Sequence, residues 1–233
     1  MLNLYKKELQ YYLNSPIGYI IVILFVVFAN FLFMKDIFVV GSASMRPFFT
    51  LIPWLFLVFI PALTMRIISE ERRTNTIEVL LTLPVSETQV VLSKFFALAT
   101  IMGVALVLTM GMPVSLFFLT KLYFPEVFIA YLGSFLMSSS FIAISMFFSS
   151  LTKNQVVAFL ASIIALFFLL VSGTDFLGTV LPRVILDFLT YFVPQYHFQN
   201  FVKGVFDMRS VMYFVSLISI FLFLTIVNLE KRD

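Results

Sequence analysis

The 233-residue sequence contains no cysteine and one histidine, His197. Without cysteine, disulfides, thiolate metal sites and cysteine nucleophiles are excluded. His197 has no second histidine near it and no HExxH motif occurs, so an extracytoplasmic interfacial residue is expected there rather than a metal ligand. GxxxxGK[ST] is also missing, so the chain binds no nucleotide through a P-loop. Charge is scarce: 12% of residues are Asp, Glu, Lys or Arg, about half the share in ordinary soluble chains. No Asp, Glu, Lys, Arg or His falls inside any of the six apolar runs delimited below. Such groups are costly in a bilayer and mark ion relays where they occur, so their absence argues against a proton- or sodium-coupled carrier and against an intramembrane metalloenzyme. Short segments of alternating polarity, the mark of a membrane β-barrel, are missing as well.

What fills the sequence is apolar surface, at 61% hydrophobic and 18% aromatic residues. A bilayer core of about 30 Å needs about 20 apolar residues per helix. Six runs approach or exceed that length, at about 16–34, 48–64, 95–119, 127–148, 156–172 and 210–229. The expectation is an all-α, polytopic membrane protein with one domain over residues 1–233. The first run is too long for a cleavable signal and no small-residue cleavage site follows it. Before it, Leu2, Tyr5, Leu9 and Tyr12 share one helical face, as suits a helix lying in the membrane interface. Asn14, Ser15 and Pro16 then supply a cap and a first-turn proline for the first span. Pro53 and Pro61 are expected to kink the second. The fourth span carries Ser134, Ser138, Ser139, Ser140, Ser145 and Ser149, and close helix packing is a better reading of them than a polar substrate path. Between 173 and 209, Pro182 and Pro194 interrupt weak hydropathy, which predicts two short helices that lie on or dip toward the membrane. The 31 phenylalanines permit an apolar cargo, but lipid-facing and packing roles account for them.

Charge is dense in residues 65–94, MRIISEERRTNTIEVLLTLPVSETQVVLSK, between the second and third spans. Asn75 with Glu78 has the form of a capping box, as does Ser86 with Gln89. A short helix over 76–83 is expected to start at the first, with Ile77, Leu80, Leu81 and Pro84 at three- and four-residue spacing. Pro84 ends it, having no N–H to continue the ladder. The second box restarts a helix that runs into the third span. A helix, a break and a helix fit two uses equally: docking a soluble protein, or lying on headgroups with Arg72 and Arg73 against phosphates.

Six spans put both termini on one side. With the termini inside, Lys6, Lys7, Arg66, Arg72, Arg73, Lys94, Lys153, Lys231 and Arg232 are cytoplasmic, nine of the fifteen basic residues. Three of the remaining six, Arg183, Lys203 and Arg209, sit in the long connection before the last span, where the positive-inside rule is weak. The 65–94 stretch is therefore expected to be cytoplasmic, and driven transport would need an energy-supplying partner docked on that face.

Residues Ile68-Ser69-Glu70-Glu71-Arg72-Arg73 and Thr76-Ile77-Glu78-Val79-Leu80-Leu81-Thr82-Leu83-Pro84-Val85-Ser86 resemble the acidic, basic and "G-T-x-E-x-L-L-x-x-P-V-S" signature of ABC type-2 permeases. More narrowly they resemble the gliding-motility-associated permease branch. Lys7-Glu8-Leu9 with Tyr12, Asn14-Ser15-Pro16-Ile17-Gly18-Tyr19-Ile20, Ser149-Ser150-Leu151-Thr152-Lys153-Asn154-Gln155 and Phe201-Val202-Lys203-Gly204-Val205-Phe206-Asp207 are similar to that branch too. Asn75 stands where the family often has glycine; asparagine tolerates unusual backbone angles and caps helices, so the turn should survive. The resemblance implies a six-helix permease of a bacterial inner membrane that pairs with a second permease chain, identical or not, and sits on two copies of an ATP-binding subunit. Such a chain has no catalytic residue, metal or cofactor of its own, since ATP is bound by the partner. It also implies that the helix near 76–83 is a coupling helix, with Glu70, Glu71, Arg72, Arg73, Thr76, Ile77, Glu78, Leu80, Leu81 and Pro84 as the ATPase contact. The short helices before the last span would close the outer end of the path, and a membrane protein with a large extracytoplasmic domain is often a further partner in this branch. A nucleic-acid partner is not expected. The alternative function is a non-transporting scaffold that relays ATP-driven motion to an extracytoplasmic partner.

Overall fold

The computed structural model describes residues 1–40, 44–74, 86–119, 123–172 and 191–231. Among them are ten helices and no strand. They are α1 (Leu2–Asn14), α2 (Pro16–Val40), α3 (Arg46–Thr64), α4 (Ser69–Arg73), α5 (Glu87–Leu108), α6 (Gly111–Leu119), α7 (Phe124–Leu151), α8 (Gln155–Val171), α9 (Pro194–Val202) and α10 (Met208–Glu230). Five segments are long and apolar enough to cross a membrane: Pro16–Lys35, Arg46–Arg73, Glu87–Phe118, Phe124–Leu151 and Met208–Glu230. The fifth expected span corresponds to α8, an apolar helix of 17 residues.

Local signals set several boundaries, the first two of them where they were expected. Ser15 separates α1 from α2, and Pro16 opens the second helix. The Ser86 side chain accepts the Gln89 N–H at the start of α5, and Asn154 caps α8 by accepting the Val156 N–H. Asp207 does the same for α10 through the Arg209 N–H.

Two spans differ from the expectation. The first helix continues past Met34 to Val40, so Lys35 and Asp36 are helical rather than loop. The third is not continuous: α5 stops at Leu108 and α6 restarts at Gly111. Pro113 has no N–H to offer the Thr109 carbonyl, which instead accepts from Met112 in a tighter turn. The Thr109 hydroxyl, exchanging a 3.0 Å hydrogen bond with Tyr131 on α7, fixes the break.

Helix α7 is the axis of the bundle and packs against α3, α5, α8, α9 and α10. Its six serines noted above are all buried. Four of them donate to carbonyls of their own helix: Ser134 to Ala130, Ser138 and Ser139 to Phe135, and Ser140 to Met137. Hydroxyls satisfied this way leave a small-residue surface on which neighbours close, in keeping with the packing reading. Gly133 marks the tightest approach, since a Cβ there would lie 2.4 Å from the Phe201 Cβ of α9.

At the end of the bundle holding the N-termini of α3 and α7, Arg46 Nε donates to Glu126 at 3.0 Å. Gly204, with φ of 77°, turns the chain after α9 directly against the Glu126 side chain. His197 stacks on Tyr213 with 4.1 Å between ring centroids, and its ring nitrogens contact the Ser210 hydroxyl and the Tyr191 carbonyl. Both nitrogens thus have protein partners, and the described residues contain no group of metal-ligating side chains.

Candidate functional site

The charged stretch after α3 folds onto the opposite end of the bundle and is stitched there by side chains from four other helices. Lys94, two turns into α5, is 2% exposed, although its position beside the apolar run suggests an exposed residue at the membrane edge. Its ammonium donates to Glu8 Oε1 of α1 at 2.9 Å and to Glu71 Oε1 of α4 at 2.7 Å. An ammonium has three donors, and charge-assisted bonds to two carboxylates offset part of the cost of removing it from water. A buried arrangement of this kind is weak evidence for stability but sets register, because any slippage strands a charge.

Helix α1 reaches this cluster because its inward face is mixed rather than wholly apolar: Glu8 and Tyr12 are its buried residues. The Tyr12 hydroxyl donates to the Leu63 carbonyl near the end of α3 at 3.1 Å. That carbonyl lies in the last turn of α3, where no intrahelical donor remains. Burial, with the Glu8, Glu70 and Glu71 carboxylates nearby, pushes the Tyr12 phenol well above its ordinary value, so it stays a donor at any physiological pH. Tyr5 pairs with Thr100 of α5 at 3.0 Å and ties α1 down a second time.

Two further anchors hold the stretch to α7 and α10. Ser149 Oγ accepts the Ile68 and Ser69 N–H groups at 3.4 and 3.3 Å and donates to the Met65 carbonyl at 3.2 Å, so one hydroxyl holds the whole turn between α3 and α4. Asn228 of α10 donates to both the carbonyl and the hydroxyl of Ser150 at 2.9 Å, and its own carbonyl accepts from Arg72 Nη2 at 3.4 Å. The 65–74 segment is thus bonded to α5, α7 and α10 directly, and to α1 through Lys94.

The residues expected to form a contact surface therefore divide. Glu71 and Arg72 bond within the chain, and Arg72 is 5% exposed. Arg73 is exposed and Glu70 half-buried. Arg66 Nε and Glu70 Oε2 are shielded from solvent with no hydrogen-bond partner among the described residues. Thr76, Ile77, Glu78, Leu80, Leu81 and Pro84 lie outside the described residues, as does the helix expected over 76–83.

Sequence reasoning missed Glu8, Lys94, Ser150 and Asn228 as members of this site. The available signal was weak: a lone acid on the apolar face of an interfacial helix, and a lone lysine two turns past a helix cap. The family model for ABC-2 family transporter protein matches residues 40–233, most of the chain, with Glu8 and Tyr12 ahead of the matched region. No curated protein matches the chain. The bundle of apolar helices, its buried polar seam at one end and this match together establish that the chain belongs to the ABC-2 transporter family, as a multi-pass permease subunit of the inner membrane that works with a separate ATP-binding subunit.

Proposed function

We propose that this permease receives the movement of its ATP-binding partner through the 65–94 stretch and passes it to the spanning helices as a unit. The stretch faces the cytoplasm with both termini, and residues 76–83 form the coupling helix that seats in the partner. Arg73, Glu70 and the positions Thr76, Ile77, Glu78, Leu80, Leu81 and Pro84 make the contact, while Glu71 and Arg72 position it from inside. Two such permeases, each with its ATP-binding subunit, enclose the path across the membrane. The chain crosses six times, with α8 as the fifth span: its 17 residues rise about 26 Å, within the lower range of membrane helices. The motifs shared with the gliding-motility-associated branch support membership of that branch and an extracytoplasmic partner protein.

The observation that carries this reading is Lys94 held between Glu8 and Glu71. This cluster and the Ser149 and Asn228 bonds fasten both flanks of residues 75–85 to α1, α5, α7 and α10. A pull on the segment cannot move one flank without loading all four helices. Arg66 Nε and Glu70 Oε2, shielded and without a hydrogen-bond partner among the described residues, also suit an edge completed by another protein. The test is co-purification after gentle detergent extraction. Glu78→Ala with Leu81→Asp should abolish recovery of the ATP-binding subunit while membrane insertion is retained, and undiminished recovery would remove the docking role.

A further inference from the structure

At the far end of the bundle a cleft of about 200 Å³ opens between the first turn of α3 and the length of α9. Arg46 and Thr50 form one wall, and Gln195, Phe198, Gln199 and Lys203 the other. Two cations thus face one space. Arg46 engages Glu126 through Nε, and Lys203 has no ion-pair partner among the described residues. With Glu126 at its edge, the cleft carries a net positive charge. Its construction is deliberate in the backbone: the Gly204 turn, with φ of 77° and no side chain, lets the end of α9 press on Glu126 and sets Lys203 beside the Arg46–Glu126 pair. Two cations facing one cleft call for an anionic ligand able to accept charge-assisted hydrogen bonds from both.

The surroundings indicate the depth of the cleft. Tyr123, Phe124, Phe128, Tyr191, Tyr196 and Phe206 are all exposed at this end, in the manner of the aromatic belts found at membrane–water interfaces. We infer that the cleft binds the phosphate-ester headgroup of an anionic membrane lipid, with the Arg46 guanidinium and the Lys203 ammonium on the phosphate. This goes beyond the coupling role and is independent of it, since the cleft shares no residue with the seam at the other end of the bundle. A bound headgroup would tie α9 to α3 and stiffen the end of the bundle away from the ATPase.

The assay is retention of phosphatidylglycerol by the purified, intact permease complex, read by native mass spectrometry during stepwise delipidation. Wild type should keep the lipid, whereas Arg46→Gln with Lys203→Gln should hold it about thirty-fold more weakly. Arg209→Gln removes an exposed cation outside the cleft and should behave as wild type. Lys203→Glu alone, a substitution at an exposed side chain that leaves the Arg46–Glu126 pair in place, should reproduce most of the loss in a folded protein. Equal retention by all four proteins would overturn the inference. So would displacement of the lipid by inorganic phosphate alone, which would place the ligand in solution rather than in the bilayer.

Discussion

Replacing Lys94 by methionine keeps an unbranched side chain, one atom shorter, and deletes one charge from a site that is 2% exposed. In the native protein the ammonium lies 2.9 Å from Glu8 and 2.7 Å from Glu71, whose side chains are 10% and 25% exposed. Without it, two carboxylates face each other across a thioether, and the ammonium that bonds both is gone. Breaking a buried pair by removing one partner costs about 3–5 kcal/mol, because the remaining charge is stranded. Glu71 is the more exposed carboxylate and relaxes more readily, so most of the cost falls on Glu8. The escape open to Glu8 is for α1 to leave the bundle, which gives up the Tyr12–Leu63 and Tyr5–Thr100 hydrogen bonds at about 1 kcal/mol each. The expected result is a loss of stability of about 2–4 kcal/mol, lower than the full stranded-charge cost because undocking caps it. Unfolding in detergent reads the total, and limited proteolysis reads the release of α1. The triple variant Glu8→Gln, Glu71→Gln, Lys94→Met removes all three charges and should recover most of the loss, since neutral replacement of a buried ionic group is often tolerated. A single variant as stable as wild type, or a triple variant no better than the single, would refute the reasoning.

Two further outcomes follow from the same end of the bundle. Ser149→Ala leaves the Ile68 and Ser69 N–H groups without their acceptor, at a cost of about 1–2 kcal/mol given bonds of this length. Hydrogen exchange at those two amides should accelerate while amides in the middle of α7 stay protected, and unchanged exchange would show that another group holds the turn. Tyr12→Phe should cost about 1 kcal/mol through the lost bond to Leu63 and should also alter the pH dependence of stability. Burial raises the folded-state phenol well above the ordinary value of 10.0, so above that value the unfolded chain releases a proton that the folded protein keeps. Wild-type stability therefore holds below pH 10 and falls as pH rises beyond it; the phenylalanine variant lacks that contribution and should fall less steeply in a denaturant titration taken into that range.

Much of the architecture was legible along the chain because its determinants are local. An apolar run long enough to cross a bilayer has few alternatives to helix, since backbone groups without water must bond within the segment. Ser15 with Pro16, Ser86 with Gln89 and Asn154 with Gln155 punctuate those helices through contacts within a few residues. The break at Thr109–Met110 is a partial exception. Pro113 marks it, but the same proline feature does not end α3, which continues through Pro53 and Pro61. All three prolines are buried, so burial does not separate the two cases; what differs is that the break before Pro113 is held by the Thr109 hydroxyl bonding Tyr131 of α7.

The sequence by itself determined that this is a helical membrane protein with one charged stretch between two apolar runs, no P-loop motif and the marks of an ABC-2 permease. Hydropathy, caps and motif spacing are properties of neighbours, and neighbours can be read in order. Only the tertiary structure decided that Glu8, Glu71 and Lys94 share one buried site, that Ser149 holds the turn after α3, and that Arg72 is turned inward to Asn228 rather than left at the surface. Those partners come from helices far apart in the chain, and a lone charge beside an apolar run carries no sign of whether it will meet water, lipid or an opposite charge until the helices pack.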